Sequence, residues 1–363
     1  MNFSSKSALT FVSFIQYFRT VSIRILVDLF FRKKTEVKKI LINRDGAFGD
    51  SIVALPALSI VRQNYPQAQI DLLSVNNHGI SFKEICIEKG LINKLYNIKK
   101  AQRKATLKKL RNQQYDLFIQ LPQNLGLYKS VRNILLVRYY LRIKYAFGWD
   151  SGRIKSFMRQ QKKHLKTPTN TGRFVEMLKQ NGLSGEVNYP ITSKAPINIE
   201  IKELLQSMPP ITFLIGGKLK PKKWPLNHWV SLAKLIGEKQ KILIVGGDEE
   251  KPGGEYIAGK AANTINLCGV LTIPELRYIL EKSKIAISLD TGAMHLCDST
   301  KTKLIVLFST RDLSNRWFPT KENSVVIEKV LPCSFCLKTE CSDNICMSNI
   351  LPNEVYSEIK PYL

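Results

Sequence analysis

Several patterns that would assign a protein class are missing from this chain of 363 residues. Arg19, Arg24 and Asp28 interrupt the apolar residues 8–31, and the longest uncharged run there, Ala8–Phe18, is shorter than the roughly 20 residues that cross a bilayer. No cleavable secretory signal is present, so we expect a cytoplasmic protein with reduced thiols. No G-x-G-x-x-G follows a predicted strand, which argues against a dinucleotide oxidoreductase.

Acidic residues are scarce, since 29 aspartates and glutamates face 55 lysines and arginines, giving a net charge of +26. The excess is local: residues 99–166 carry 18 basic side chains against two aspartates, whereas residues 197–363 carry 21 basic and 18 acidic ones. Such a basic segment attracts anionic lipid, phosphorylated substrates or nucleic acid, and it is also compatible with a solvated face.

Residues 1–37 form a basic amphipathic segment, which we call the leader. Its apolar residues are followed by Arg32, Lys33 and Lys34. This pattern predicts a helix lying in the headgroup region of an anionic membrane. The alternative is a helix docked on the protein itself.

From Lys38 onward, short apolar runs alternate with helical patterns, which is typical of a parallel sheet covered by helices. Residues 184–198 contain glycine and prolines without periodicity and predict a linker between an N-terminal lobe, 38–190, and a C-terminal lobe, 197–363. Residues 125–171 give no clear pattern. The predicted strands are Lys38–Asn43, Gln69–Ser74, Leu117–Gln120, Thr212–Ile215, Ile242–Val245, Ile285–Leu289 and Leu304–Phe308, and the clearest predicted helices are Ala101–Gln114, Leu226–Ile236 and Ile273–Lys282.

Ligands of open α/β sheets bind at the carboxyl ends of the strands, so the loops after strands are the candidate sites. The first such loop is Arg44–Asp50, in which two glycines permit a tight turn. Asp50 at the helix start is a candidate general base for a sugar hydroxyl. The alternative is a helix cap, a common use of aspartate.

The second loop runs from Gly216 to Pro225. Its glycines permit close backbone approach to an anion, and its four lysines supply charge for a diphosphate. The P-loop pattern is not met, because no second glycine has the required spacing before the lysine and no Ser or Thr follows it. The lysines are Lys218, Lys220, Lys222 and Lys223.

The third loop is Ser288–His295. Its Asp-Thr-Gly-Ala run also occurs in aspartic proteases, but those need two such loops in an all-β fold, whereas a helix-compatible stretch, Ala293–Ser299, follows here. A helix beginning at Thr291 and Gly292 offers free amides to a phosphate. His295 is placed either to touch a donor or to pack.

Taken together and in this order, these loops resemble glycosyltransferase family 9, the lipopolysaccharide heptosyltransferases and their relatives, over residues 38–355. The resemblance implies a GT-B fold with two Rossmann-like lobes and a cleft between them, inversion at the anomeric carbon, and neither a catalytic metal nor another cofactor. The residues that carry it are Gly49–Asp50, Tyr65–Ala68, Lys222–Pro225, Asp290–His295 and the cysteines from Cys333 onward.

The resemblance also implies roles for single residues. Asp50 matches the catalytic base, Lys222 the lysine on the donor diphosphate, and Asp290 a residue near the donor sugar. Gly217 and Lys218 stand where some relatives have hydroxyl residues, and Ala293 is a position at which sugar choice could change. The remaining predicted donor contacts are Thr291 and Gly292 at the phosphates, His295, and Asp248, Glu249 and Glu250 at the ribose.

We therefore expect transfer of heptose from ADP-heptose to a lipopolysaccharide-core or other cell-envelope glycan. The near-neutral lobe would hold the donor, and the basic lobe would face a phosphorylated or lipid-linked acceptor at an anionic membrane surface, on the inner face of the cytoplasmic membrane. Nucleic acid is not expected as a partner. The competing interpretation is a non-enzymatic basic protein that binds membrane or nucleic acid on an α/β scaffold.

Four cysteines follow one another as C-x2-C-x4-C-x4-C near the C-terminus. Four thiols this close could hold a structural zinc ion, but the spacing is not that of a paired zinc ribbon. Reduced thiols or a local disulfide are the alternatives. The residues are Cys333, Cys336, Cys341 and Cys346.

Overall fold

The fold is described from a computed structural model, which covers residues 18, 20–32, 36–74, 82, 84–85, 87–98, 100–123, 125–149, 168–192, 196–206 and 208–363. Most of the predicted run Ala8–Phe18, the basic residues Lys33 and Lys34, and residues 150–167 of the basic segment lie outside these ranges. The described residues up to Pro190 form one compact unit, except Glu84 and Ile85, which group with Ile191–Leu363 in the second unit.

The first unit is built on five parallel strands in the order β3-β2-β1-β4-β5. At the carboxyl end of the central strand, Asn43 lies opposite Leu73 of β2 and Gln120 of β4. The strands are β1 Lys39–Asn43, β2 Gln69–Ser74, β3 Lys94–Asn97, β4 Leu117–Gln120 and β5 Tyr145–Phe147. The helices are α1 Phe48–Ile52, α2 Leu55–Asn64, α3 Arg103–Asn112, α4 Leu127–Leu135, which continues as a π-helical turn Leu136–Tyr140, and α5 Asn170–Gln180.

The second unit is built on six parallel strands in the order β11-β10-β9-β6-β7-β8. The strands are β6 Ile211–Leu214, β7 Ile242–Val245, β8 Thr264–Asn266, β9 Ile285–Leu289, β10 Lys303–Phe308 and β11 Ser324–Glu328. The helices are α6 Ile199–Leu204, α7 Leu226–Ile236, α8 Lys251–Ala258, α9 Ile273–Lys282, α10 Gly292–Asp298, α11 Ile345–Ser348 and α12 Pro352–Ile359, with short 3-10 turns at Lys220–Lys222 and Asp248–Glu250.

The central strands are apolar on both faces because helices cover both sides of a parallel sheet. Every residue of β6, β7 and β9 is buried, as is every residue of β4. The core of the second unit is anchored by Trp229 of α7, whose ring packs on Phe213 of β6 at a centroid distance of 4.9 Å. The register of the strands in each sheet is thus fixed. The order of the strands also sets the order of the loops that follow them.

The leader contains a helix over residues 20–30 that packs on the first unit. Ile23 and Phe31 lie in the core of that unit, where the Phe31 ring stacks on Trp149 at 5.5 Å. In the described part of the leader, the structure therefore shows the docked helix. Among the residues with coordinates, no helix is both long and apolar enough to cross a membrane.

The predicted α/β class with two parallel sheets is confirmed, and the predicted central strands are found within one residue of their bounds. The predicted basic helix Ala101–Gln114 is shorter, since α3 spans Arg103–Asn112. Within residues 125–171, for which no clear pattern was predicted, the structure has α4, the π-helical turn, β5 and the start of α5. Short edge strands such as β3 and β8 carry too few apolar residues to be seen by periodicity.

Candidate active site

The predicted site residues of each unit lie in loops that follow parallel strands. In the first unit, Asp50 is reached from the end of β1 through residues 44–47. In the second unit, four strands contribute: Lys222 follows β6, residues 248–250 follow β7, Asp290 follows β9, and the loop after β10 adds residues of its own.

Asp50 is the third residue of α1, where its carboxylate closes the start of the helix. Its Oδ2 accepts a hydrogen bond from the backbone N–H of Ala47 at 3.0 Å. A carboxylate at this position also interacts favourably with the positive end of the helix. Asp50 therefore caps its helix, and a cap and a base are not exclusive because each carboxylate oxygen can accept more than one hydrogen bond.

The second oxygen of Asp50 is held by Arg44. Arg44 Nη2 donates to Asp50 Oδ1 at 2.7 Å, and Arg44 Nε donates to the Asp50 backbone carbonyl at 3.3 Å. The guanidinium is fixed in turn by the Pro122 carbonyl at 3.0 Å and lies 5.0 Å from the centre of the Phe174 ring. The Arg44 side chain is 5% exposed and that of Asp50 is 29% exposed, so the carboxylate is the member of the pair that solvent and substrate can reach.

Gly46 is required by the position of Asp50. A Cβ atom at residue 46 would lie 2.4 Å from Asp50 Cβ and 2.7 Å from Asp50 Cγ. Such contacts do not occur in folded proteins, so any side chain at residue 46 would displace the carboxylate. Gly46 is therefore needed to leave space for the Asp50 side chain.

Lys222 lies between two carboxylates in the second unit. Its Nζ contacts Asp290 Oδ2 at 2.5 Å and Asp312 Oδ2 at 3.2 Å. Asp312 is also paired with Arg311, whose Nη1 lies 2.9 Å from the same oxygen. An ammonium group has three N–H donors, so two carboxylate partners leave one donor for a ligand.

The surroundings of Lys222 keep it charged. Burial opposes the charge, but Asp290 and Asp312 outweigh burial, and the pKa of Lys222 is raised above its ordinary value. With its side chain 13% exposed, the lysine is a cation held in a fixed place near the end of β6. Such a group can stabilise negative charge on a ligand without reorganising.

The other lysines of the loop divide into two kinds. Lys223 is bound within the protein, because its Nζ lies 2.9 Å from Glu250 Oε1. Lys218 is exposed beside Gly217. A Cβ at Gly217 would approach no atom closer than 3.6 Å, so this glycine, unlike Gly46, is not required by the protein's own packing.

The Lys223–Glu250 ion pair distinguishes Glu250 from the other two residues of the acidic run after β7. Glu250 faces inward, where it accepts from the Gly247 amide at 3.1 Å as well as from Lys223. Asp248 and Glu249 are exposed. A ribose contact, which the sequence predicted for this run, therefore fits those two carboxylates better than Glu250.

Thr291 forms the start of α10. Its Oγ1 accepts from the Met294 amide at 3.3 Å, and helix geometry leaves the amides of Gly292 and Ala293 outside the intrahelical bonding. His295 is buried, with its ring centre 6.0 Å from that of Trp317. This contact fits the packing alternative for His295, and a contact with a donor stays a prediction.

Sequence reasoning missed two partners of these residues. Arg44 was part of the first loop but was given no role, and Asp312 was not considered. The signal for Asp312 was present, because the polar run Ser309–Asp312 follows the apolar strand β10 directly. Inspecting every loop after a strand would have found it.

The four clustered cysteines are separate thiols in the structure: Cys333, Cys336 and Cys341 are exposed and Cys346 is half-buried. Across the described ranges, no group of three or more His, Cys, Asp or Glu side chains is arranged to hold a metal ion. The Cys346 sulfur lies 3.2 Å from the Ser309 hydroxyl. A zinc site is therefore not preformed by these thiols.

Comparison with known proteins links these loops to one enzyme family. Residues 103–346 match the model of glycosyltransferase family 9 (heptosyltransferase). The chain is 24% identical over 343 residues to lipooligosaccharide heptosyltransferase 2 of Campylobacter jejuni, covering 90% of this chain and 98% of the relative. Its fold matches a family 9 glycosyltransferase of Veillonella parvula (TM-score 0.69, 16% identity, 91% and 98% of the chains) and the ADP-heptose lipopolysaccharide heptosyltransferase II of Escherichia coli (TM-score 0.63, 19% identity, 89% and 98%).

Proposed function

The chain belongs to glycosyltransferase family 9, and we propose that it transfers heptose from ADP-heptose to a lipopolysaccharide-core or related cell-envelope glycan, with inversion at the anomeric carbon. The observation that carries the mechanism is Asp50, a partly exposed carboxylate fixed by a buried arginine. The donor is supported by the similarity to the ADP-heptose lipopolysaccharide heptosyltransferase II of E. coli.

Asp50 acts as the general base. It removes the proton from the acceptor hydroxyl as that oxygen attacks the anomeric carbon, so that the bond to the nucleoside diphosphate breaks in the same displacement. Arg44 holds one carboxylate oxygen at 2.7 Å and the Ala47 amide holds the other at 3.0 Å, so the carboxylate is fixed in orientation. A single displacement of this kind needs one base and no covalent intermediate.

The second unit stabilises the departing diphosphate. Lys222 supplies a fixed positive charge, exposed Lys218 adds a second, and the amides of Gly292 and Ala293 point from the start of α10. These groups supply the charge that a divalent ion provides in other transferases, and the proposed reaction is metal-independent. Asp290, held by Lys222, is assigned to the hydroxyls of the donor sugar, and Asp248 or Glu249 to the ribose.

The acceptor is proposed to be phosphorylated or lipid-linked, which matches the positive charge of the first unit. The enzyme would then work at an anionic membrane surface, on the inner face of the cytoplasmic membrane, with no role for nucleic acid. The exposed apolar residues of the leader helix support this placement, because Ile25 is 60% and Leu29 is 71% exposed although the opposite face of that helix is docked.

The test is a comparison of nucleotide sugars by thermal stabilisation followed by a transfer assay. ADP-heptose at 100 times its dissociation constant should add about 2.7 kcal/mol to the free energy of unfolding, and UDP- and GDP-sugars should add much less. Transfer with EDTA present, and NMR of the new linkage, then check metal independence and inversion. Preference for another nucleotide sugar, or a retained anomeric configuration, would contradict the proposal.

A further inference from the structure

The first unit contains a basic pocket away from the proposed catalytic loop. It has a volume of about 800 Å³. Tyr115 precedes β4 and Arg142 precedes β5, so the pocket lies at the amino-terminal edge of the sheet, opposite the edge that carries Asp50. Its lining residues are Lys108, Arg111, Asn112, Gln114, Tyr115, Tyr140, Leu141 and Arg142.

Three cations line the pocket. Within the described ranges, Lys108, Arg111 and Arg142 form no ion pair with a carboxylate, and the Arg111 guanidinium lies 5.4 Å from the centre of the Tyr140 ring. Tyr115 donates its hydroxyl to Asp71, which is fully buried. Lys108, Arg111 and Arg142 supply the donors, and an anion with several oxygens is the ligand class that such cations bind.

The backbone around the pocket is unusual at two places. Gln114 has φ = 56° and Arg142 has φ = 61°, in the left-handed region that residues other than glycine rarely adopt. The π-helical turn Leu136–Tyr140 ends directly before Leu141 and Arg142. Strained backbone and π-helical turns are both enriched at functional sites.

An exposed apolar surface adjoins the pocket. The leader helix ends beside it, because Phe30 contacts Tyr139 with ring centres 5.9 Å apart and the Arg32 amide bonds the Lys144 carbonyl at 3.0 Å. The outward side of that helix carries Val21, Ile25 and Leu29, and Tyr139 is itself 60% exposed. We call this set the apolar stripe.

We propose that the pocket binds the phosphate of an anionic phospholipid headgroup while the apolar stripe enters the headgroup layer. This inference rests on the membrane association of the proposed function and gives it a specific site and orientation. The five-residue strand β1 spans roughly 17 Å, so Asp50 would stand about that far above the pocket. A glycan projecting from its lipid would reach the carboxylate there.

The first experiment measures binding of the full chain to vesicles of phosphatidylcholine with and without phosphatidylglycerol. The pocket variant is Lys108→Gln with Arg111→Gln, and the matched control is Arg103→Gln with Lys104→Gln, which removes the same charge from exposed positions of α3. The pocket variant should lose about 10-fold more affinity for the anionic vesicles than the control. Equal losses would show a diffuse field and overturn the inference, as would no loss.

A second measurement tests the site itself with soluble dihexanoyl-phosphatidylglycerol below its micelle concentration. Wild type and control should bind it saturably, and the pocket variant should not. Binding of inorganic phosphate with the same affinity would identify a plain anion site and contradict a lipid headgroup as the ligand. Replacing Ile25 and Leu29 with serine should weaken vesicle binding but leave binding of the short-chain lipid intact.

Failure of this inference is distinguishable from failure of the proposed function. Melting temperatures of every variant check folding, and stabilisation by ADP-heptose reports on the second unit, which contains none of the substituted residues. Lipid binding as predicted without any sugar transfer would contradict only the proposed reaction. Sugar transfer to a detergent-dispersed acceptor with no pocket-dependent lipid binding would contradict only the headgroup site.

Discussion

The two units each hold a carboxylate–cation pair beside the end of a central strand, but the pairs differ in which member is the more exposed. In the first unit, Arg44 is buried and Asp50 is reachable. In the second unit, Asp290 is the more buried partner at 7% exposure, and Lys222 has a donor left over. In the proposed reaction, the first pair supplies the base and the second supplies a cation for the donor diphosphate.

The largest effect is expected from Asp50→Asn. The amide keeps the shape of the side chain but cannot accept the proton, so turnover should fall by roughly 100-fold or more while ADP binding changes little. Steady-state kinetics and nucleotide titration measure the two. Asp45→Asn in the same loop is the matched control and should stay within about 3-fold of wild type. An active Asp50→Asn enzyme would reduce Asp50 to a helix cap.

Lys222→Ala tests the cation of the second unit. It removes the cation and leaves Asp290 and Asp312 facing the diphosphate, so ADP affinity should fall by about 30-fold, the equivalent of roughly 2 kcal/mol for one charge-assisted hydrogen bond. Calorimetry measures the affinity. The exposed lysine variant Lys239→Ala controls for net charge, and unchanged ADP affinity in Lys222→Ala would remove this lysine from the donor site.

The glycines of the two units should respond differently to alanine. Gly46→Ala forces Asp50 to move and should lower turnover about 10-fold with ADP affinity retained. Gly217→Ala meets no protein atom closer than 3.6 Å, so the melting temperature should hold while ADP affinity drops about 5-fold. If Gly217→Ala destabilises the fold instead, its glycine serves packing, as in the first unit.

The smallest effect concerns pH. The pKa of Lys222 is raised in the folded protein by its two carboxylates, although burial opposes this. Its contribution to the free energy of unfolding is therefore complete below the ordinary value of 10.5 and is lost as the pH rises through the folded pKa. Urea unfolding from pH 9 to 11.5 should show this loss in wild type and a smaller one in Lys222→Arg. Identical pH profiles of the free energy of unfolding in wild type and Lys222→Arg would contradict this contribution of Lys222.

The sequence correctly predicted those strands and helices whose local residue pattern matches their burial in the folded protein. Strands such as Ile285–Leu289 are apolar throughout because both faces are covered, and the loops after them follow from the parallel topology. The Asp50 loop and Lys222 loop were found in this way. Partners that come from distant segments of the chain were not predicted. Asp312 is the clearest case, since 90 residues separate it from Lys222.

The leader shows a second limit of prediction from the sequence. Its composition favours a membrane surface, and only the structure shows that Ile23 and Phe31 belong to the core of the first unit. Deleting residues 1–34 would therefore remove core side chains as well as the apolar stripe, and burial of a phenylalanine alone is worth about 3 kcal/mol or more on replacement by alanine. Point substitutions on the exposed side separate the two roles.

Packing of the leader helix also sets an order of events during synthesis. Phe31 stacks on Trp149, which is added about 118 residues later in the chain. At roughly 5 to 20 residues per second, the helix waits about 6 to 24 s before this partner exists. During that interval the stacking partner of Phe31 is missing, so the packing of the leader on the first unit is incomplete until β5 and Trp149 have been added.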